Sequence, residues 1–418
     1  MVIDKYMYGG EKNVRHNLIM FFIDGVSFMP SMALISITAV IPFFLDQLGA
    51  TTFQISLATS MTLICALLAQ PFFGYMASRS TVMNKTFAKI LLCQRVLFVA
   101  GILAIPLFSG HHPTLIVVFL VSWCIFNLFV GSYAVFFTPL VIRLLPPNKR
   151  GTIRGFGFAV GSLLGVGMTA LIPTILGRIM FPYNYMVIFL IGGFYLFINA
   201  IVFYFMRESE DQKPVQPLSM VQYLKNMPIA IKESSALRAM ILTSIFLVIA
   251  NAMLPFYMLY AIREFSVTEI HLAILTGLQI FMAAIAHIIL GIIVDKFGPR
   301  IVALIVACLI LSAGILALIT NTLSLFFVVW ALANTGNTGS MTAISLLLGE
   351  VSPAEKLPLY VGVHFTISMA LSAILVLVLA PVLENLGFAP LFLIVAICGM
   401  TSLLINTLLL RNRMKTLA

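Results

Sequence analysis

The sequence predicts an all-α membrane protein whose twelve transmembrane helices form two related bundles of six. Three observations lead there. The 418 residues are 61% hydrophobic and only 9% charged, against roughly a quarter charged in soluble globular proteins. Apolar runs of the roughly 20 residues needed to cross a hydrocarbon core recur along the whole length, where an outer-membrane barrel would show short alternating segments. The cations are sorted by loop, and the two halves of the chain repeat each other.

In chain order, spans are expected at 17–46, 53–78, 86–108, 114–143, 153–178, 184–206, 236–262, 267–294, 300–320, 322–349, 357–383 and 388–410. The first run follows Lys5, Lys12 and Arg15 and lacks a cleavage site, so it reads as a retained helix with its N-terminus inside. With that orientation, of the 24 Lys and Arg only Arg178 and Arg263 fall in outward segments and only Arg95 lies within a span. The net charge of +10 is therefore topological, not the mark of a nucleic-acid partner. An inner-membrane protein with both termini cytoplasmic is expected. The five cysteines all fall inside apolar runs, which argues against structural disulfides and a metal cluster.

A polar, proline-bearing stretch from Arg207, R-E-S-E-D-Q-K-P-V-Q-P, divides the chain into an N-terminal bundle (1–206), a cytoplasmic linker (207–235) and a C-terminal bundle (236–418). A short amphipathic helix on the membrane surface is expected near Met220 to Ile231. The halves share W-C-I-F-N from Trp123 and W-A-L-A-N from Trp330, which hold the only two tryptophans. They also share two glycine-and-charge turns, G-Y-M-A-S-R-S-T-V-M-N-K from Gly74 and G-I-I-V-D-K-F-G-P-R from Gly291. Together these point to an internal duplication.

Twelve spans with a long central loop, and a turn of the form G-x-x-x-D-K-x-G-x-R between the eighth and ninth, resemble the major facilitator superfamily of secondary transporters. The first-half copy of the turn departs from the family pattern, with Ser78 in place of the aspartate and the later glycine missing. The fourth span also lacks the arginine-bearing pattern of proton-coupled drug exporters. The resemblance implies that the first, fourth, seventh and tenth spans line a central cavity between the bundles. It also implies that the turns form a cytoplasmic gate of Gly74, Arg79, Arg154, Gly291, Asp295, Gly298 and Arg300. In that gate Asp295 would cap the start of the fifth span and Arg154 would add charge pairing.

Polar residues on the implied lining spans supply a candidate substrate-binding set: Asn127, Asn251, Asn334, Asn337 and Thr338. In the first span Asp24, Ser27, Ser31 and Thr38 share one helical stripe. Asp24 is the only acidic residue well inside a span, about 10 Å from the inner end of its helix at 1.5 Å per residue. Arg95 lies at comparable depth in the third span, so the pair is expected to carry proton coupling or to form a buried ion pair, with Gln70 or Gln94 nearby. His287 and His364 sit toward the cytoplasm, and the two of them do not make a metal site. The glycine series at 151, 155, 157, 161, 165 and 167 lacks the strand and Lys-Ser/Thr pair of a phosphate loop and reads as close helix packing at the moving interface.

The function expected is secondary active transport of a small organic solute by rocker-switch alternating access, coupled to protons. A lipid or amphiphile flippase of the same fold is the first alternative and a membrane-embedded enzyme or sensor the second. No cofactor is expected. The partners are a small-molecule solute, protons and membrane lipid, without nucleic acid, and the protein is expected to be a monomer.

Overall fold

A computed structural model describes residues 11–80, 82–208, 220–351 and 357–417. Its spans, in order, are Glu11–Leu34 continued by Val40–Gln47, Thr52–Arg79, Met83–Leu103 continued by Ile105–Phe108, His112–Leu144, Pro147–Thr169 continued by Leu171–Arg178, and Tyr183–Phe205. The second half repeats the series with Ser235–Ala252 continued by Leu254–Phe265, Glu269–Phe297, Pro299–Ile319, Leu323–Val351, Leu357–Leu386 and Ala389–Leu417.

Four spans are interrupted, and each resumes with a proline among its first three residues: Pro42, Pro106, Pro173 and Pro255. Proline has no N–H to donate and its ring crowds the preceding turn, so the helix yields there. Two of the other starts carry capping boxes. Thr51 and Gln54 close a capping box at the head of the second span, and Thr268 and His271 do the same at the head of the eighth.

Among the described residues, eleven spans contain a stretch long and apolar enough to cross a membrane. The tenth has 29 residues, ample length, but Asn334, Thr335, Asn337, Thr338 and Ser340 interrupt its apolar run. Such a helix is stable in a bilayer only when its neighbours hide that face from lipid.

Both halves are assembled by one plan. The first span packs on the fifth and sixth, the second on the fourth, and the third on the fourth and sixth. In the second half the seventh packs on the eleventh and twelfth, the eighth on the tenth, and the ninth on the tenth and twelfth. The repeated tryptophans do the same work in each. Trp123 Nε1 donates to Ala58 O of the second span at 3.0 Å, and Trp330 Nε1 donates to Leu275 O of the eighth at 2.7 Å. The halves meet where the second span lies on the eleventh and the fifth on the eighth.

In the glycine series, Gly157 faces the first span rather than the meeting of the halves: a Cβ there would lie 2.9 Å from Phe22 O. Of the described glycines of the series, Gly165 comes near the eighth span, at Ile280. The linker helix forms as Met220–Glu233, with Ala230 buried and Val221, Lys225, Ile229 and Lys232 exposed. Arg238 donates to Ile231 O at 2.8 Å and Lys232 O at 2.7 Å, satisfying carbonyls of its last turn.

Candidate transport site

The buried face of the third span runs through Phe87, Leu91, Gln94, Arg95, Phe98 and Ile102, a helical spacing that carries Arg95 inward with its apolar neighbours. There the guanidinium is 1% exposed. Its Nε donates to Leu196 O at 3.4 Å, its Nη2 to Asn199 Oδ1 at 3.3 Å and its Nη1 to Gln94 Oε1. The Phe126 ring lies 5.9 Å from it, within reach of a cation–π contact. Gln94 is in turn fixed by donating to Phe126 O at 2.7 Å.

Asp24 enters from the first span at 4% exposure. Asn199 of the sixth span joins it to the cation's surroundings. The Asn199 amide donates to Asp24 Oδ1 at 2.5 Å, while its own Oδ1 accepts from Arg95 and, at 2.9 Å, from the Tyr133 hydroxyl of the fourth span. An unpaired charge at this depth costs several kcal/mol, so the four helices are held in register by the bonds that offset it. Gln94 is part of the cluster. Asn199 and Tyr133 are members that sequence reasoning missed.

The ends of these helices are fixed on the face that carries the termini. Glu208 accepts from Met83 N at 2.7 Å and Asn84 N at 3.3 Å, at the positive end of the third span, and pairs with Arg143 at 3.1 Å. Asn17 exchanges two 2.9 Å bonds with the backbone of Arg207.

The candidate substrate residues divide by exposure. Asn127 and Asn334 are 1% and 2% exposed, and each donates back to the tryptophan carbonyl four residues earlier, at 2.8 and 2.9 Å. Asn334 Oδ1 has no hydrogen-bond partner. Asn251, Asn337 and Thr338 are half-buried, with Thr338 O accepting from Thr342 at 3.3 Å. In the second half His364 Nε2 lies 2.7 Å from Ser244 Oγ and 3.3 Å from Ser368 Oγ, while His364 Nδ1 is buried without a partner. His287 stacks on Phe158 of the fifth span at 6.5 Å, across the meeting of the halves.

Hydrogen bonds also join the two halves, in the part of the membrane remote from the termini. Thr38 donates to Gln279 at 2.9 Å, Arg263 Nη2 to Thr52 Oγ1 at 3.1 Å, and Thr52 N to Glu384 Oε1 at 3.1 Å. Ser60 donates to Ala373 O at 3.4 Å. Of the expected gate, Gly298 occupies the turn between the eighth and ninth spans with φ +82°, and Arg300 is half-buried in the helical turn that follows. The side chains of Arg79, Arg154 and Asp295, and the surroundings of Gly74 and Gly291, lie outside the described residues.

Comparison with known proteins places this arrangement. Residues 20–263 and 239–417 match the sequence profile of the Major Facilitator Superfamily. The chain is 26% identical over 301 residues to the multidrug resistance protein MdtG of Salmonella arizonae, covering 68% of this chain and 69% of the relative. The MdtG protein of Salmonella choleraesuis matches over the same shares at 25%. Among solved structures, the partially occluded inward-open xylose transporter XylE from E. coli superposes with a TM-score of 0.67 at 14% identity, over 94% of this chain and 97% of that one. An inward-facing bacterial homologue of the human lysosomal transporter Spinster superposes with a TM-score of 0.62 at 15% identity, over 96% of each chain. With the profile covering nearly the whole length and both halves built on one helical plan, the chain belongs to the Major Facilitator Superfamily of membrane transporters.

Proposed function

We propose that the protein is a secondary active transporter that moves a small organic solute across the cell membrane by alternating access, and that Asp24 couples transport to protons. The observation that carries the proposal is the hydrogen-bonded chain from Asp24 through Asn199 to Tyr133 and Arg95, which spans four helices of the N-terminal half. Protonating Asp24 weakens its hold on the Asn199 amide, which is also bonded to the fourth span and the third. One proton thus changes the bonding of several helices at once, and a change of state follows from the different worth of those bonds in the two states. Asn251, Asn337 and Thr338, half-buried on the seventh and tenth spans, supply neutral donors and acceptors for the solute. The multidrug resistance relatives favour an organic solute over an inorganic ion.

The termini are placed in the cytoplasm, following the cation bias of the loops. On that placement the bonds at Thr38, Thr52 and Ser60 hold the outer side shut, in keeping with the inward-facing states of the two structural neighbours. Rocking of the halves breaks them and opens the site outward, while the Gly291–Arg300 turn and the start of the fifth span close the inner side.

The test is transport by purified protein in liposomes, screened across organic solutes with and without a pH gradient. Asp24→Asn is expected to abolish accumulation against a gradient while solute exchange across a symmetrical membrane continues. Accumulation unchanged in Asp24→Asn ends the coupling role.

A further inference from the structure

The first spans of the two halves break within a matching sequence, A-V-I-P-F-F at 39–44 and A-M-L-P-F-Y at 252–257. In the N-terminal half the last ring is Phe44, fully buried among Phe119, Tyr185 and Phe189 at centroid distances of 5.1, 4.8 and 5.5 Å. In the C-terminal half it is Tyr257, 1% exposed and 5.0 Å from Phe392. The last rings of the two breaks thus differ by one oxygen atom, and the Tyr257 hydroxyl has no hydrogen-bond partner among the described residues. A hydroxyl removed from water and given nothing in return is a cost that buried phenols ordinarily avoid.

Beside Tyr257 a cavity opens between the seventh, ninth, tenth and twelfth spans, bounded by Asn251, Leu254, Ala313, Ala333 and Val395. Its volume of about 10 Å³ is enough for a water molecule. Its walls are apolar apart from the break itself. Asn251 brings a side-chain amide that makes no protein hydrogen bond among the described residues. The Asn251 carbonyl accepts from Met253 N in a tightened turn, and Pro255, four residues on, has no N–H to offer it. A hydroxyl, an amide and a carbonyl with a spare lone pair are the two to four polar partners that an internal water requires.

We propose that one water molecule is bound at the break of the seventh span, accepting from the Tyr257 hydroxyl and donating to Asn251. It satisfies the polar groups that the proline frees and pins Ser235–Ala252 to Leu254–Phe265. The N-terminal break has Phe44 in the equivalent place, with no hydroxyl on that ring, and there Ser36 Oγ accepts from Ala39 N at 3.2 Å.

The full-length protein in detergent tests this through the thermal-unfolding midpoints of Tyr257→Phe, Asn251→Leu and the double variant. With a bound water, Tyr257→Phe lowers the midpoint by several degrees, Asn251→Leu lowers it similarly, and the double variant falls no further than the worse single one, because one water is lost once. A midpoint equal to or above that of the parent in Tyr257→Phe overturns the proposal, since deleting an unsatisfied hydroxyl is neutral or stabilising. Additive losses overturn it too. Density at atomic resolution decides it directly: a peak within hydrogen-bond distance of the Tyr257 hydroxyl supports the site, and an empty cavity refutes it.

Discussion

The two halves share their carpentry and differ in their chemistry. Capping boxes at Thr51 and Thr268, prolines at 42 and 255, and tryptophans at 123 and 330 hold equivalent helices in equivalent ways. The polar nodes inside them are unlike. The N-terminal node contains a carboxylate and a guanidinium, Asp24 and Arg95, joined through Asn199. In the C-terminal half the polar nodes hold neither group: Ser244 of the seventh span and Ser368 meet His364 of the eleventh, and Ser402 of the twelfth donates to Thr243 O at 3.4 Å with Asn406 on Ser402 O at 2.9 Å. Residues that fix helices to one another thus recur in both halves, whereas a carboxylate and a guanidinium, costly at this depth, occur together in the N-terminal node.

The largest effect should come from breaking the charged node. Arg95→Met removes a cation with four partners and leaves Asp24 and Asn199 to find others, so it should destabilise the protein by about 3–5 kcal/mol, the cost of splitting a buried pair. His364→Gln keeps a neutral polar group in the other node and should cost about 1 kcal/mol, the net worth of a hydrogen bond. Thermal denaturation of both in one detergent makes the comparison. Equal losses would mean that the halves do not differ in the way described.

Next come the tryptophans. Trp123→Phe and Trp330→Phe each delete an indole donor and leave Ala58 O or Leu275 O with one bond fewer, at about 1–3 kcal/mol. Because the geometry is repeated, the two losses should be similar, and the double variant should lose their sum to within about 0.5 kcal/mol, as expected of distant independent sites. A tryptophan whose removal is silent would show that its bond is incidental to the fold.

What could be read from the sequence follows the same division. Span number, the repeat, the polar tenth span and the linker helix are written in local composition, and each appears within two or three turns of chain. Asp24 and Arg95 were legible because a charge inside an apolar run is conspicuous. Asn199 and Tyr133 were not. Asn199 is the one amide in the interior of Tyr183–Phe205, a span of mean hydropathy 2.4 whose other asparagine, Asn184, stands at its start, so it looks like an isolated lapse, and its partners Arg95 and Asp24 lie 104 and 175 residues away. The A-x-x-P-F-aromatic repeat at the two breaks was visible in principle. It carries no charge, so a search for ionisable residues passes over it.

The turns sharpen the comparison further. Gly298 has φ +82° and ψ 167°, a region that a Cβ makes costly, so Gly298→Ala should lose about 1–3 kcal/mol. Gly74 is helical, inside Thr52–Arg79, where alanine is the better helix former by about 1 kcal/mol in the absence of a clash. These two glycines, the first of one turn and the later one of the other, should therefore respond with opposite signs. Midpoints of thermal unfolding that move the same way would mean that Gly74 is there for close packing instead.

The smallest expected effect concerns the bonds between the halves. Arg263 is exposed and held through a hydroxyl, so its contribution is of the order of a surface contact and Arg263→Ala should shift the balance of states only about two- to fivefold. Glu384 accepts from the backbone N–H of Thr52 at the first turn of the second span, where the helix dipole adds to the bond, so Glu384→Gln should shift it by a similar or slightly larger factor. Spin labels near the outer ends of the second and eleventh spans would report longer distances in both variants. Because the two residues lie on different helices of the C-terminal half yet converge on Thr52, the double variant should shift the population by less than the product of the single factors. A full product would mean that each bond holds the halves independently, and no shift at all would mean that ring packing and the second–eleventh helix contact alone keep that side closed.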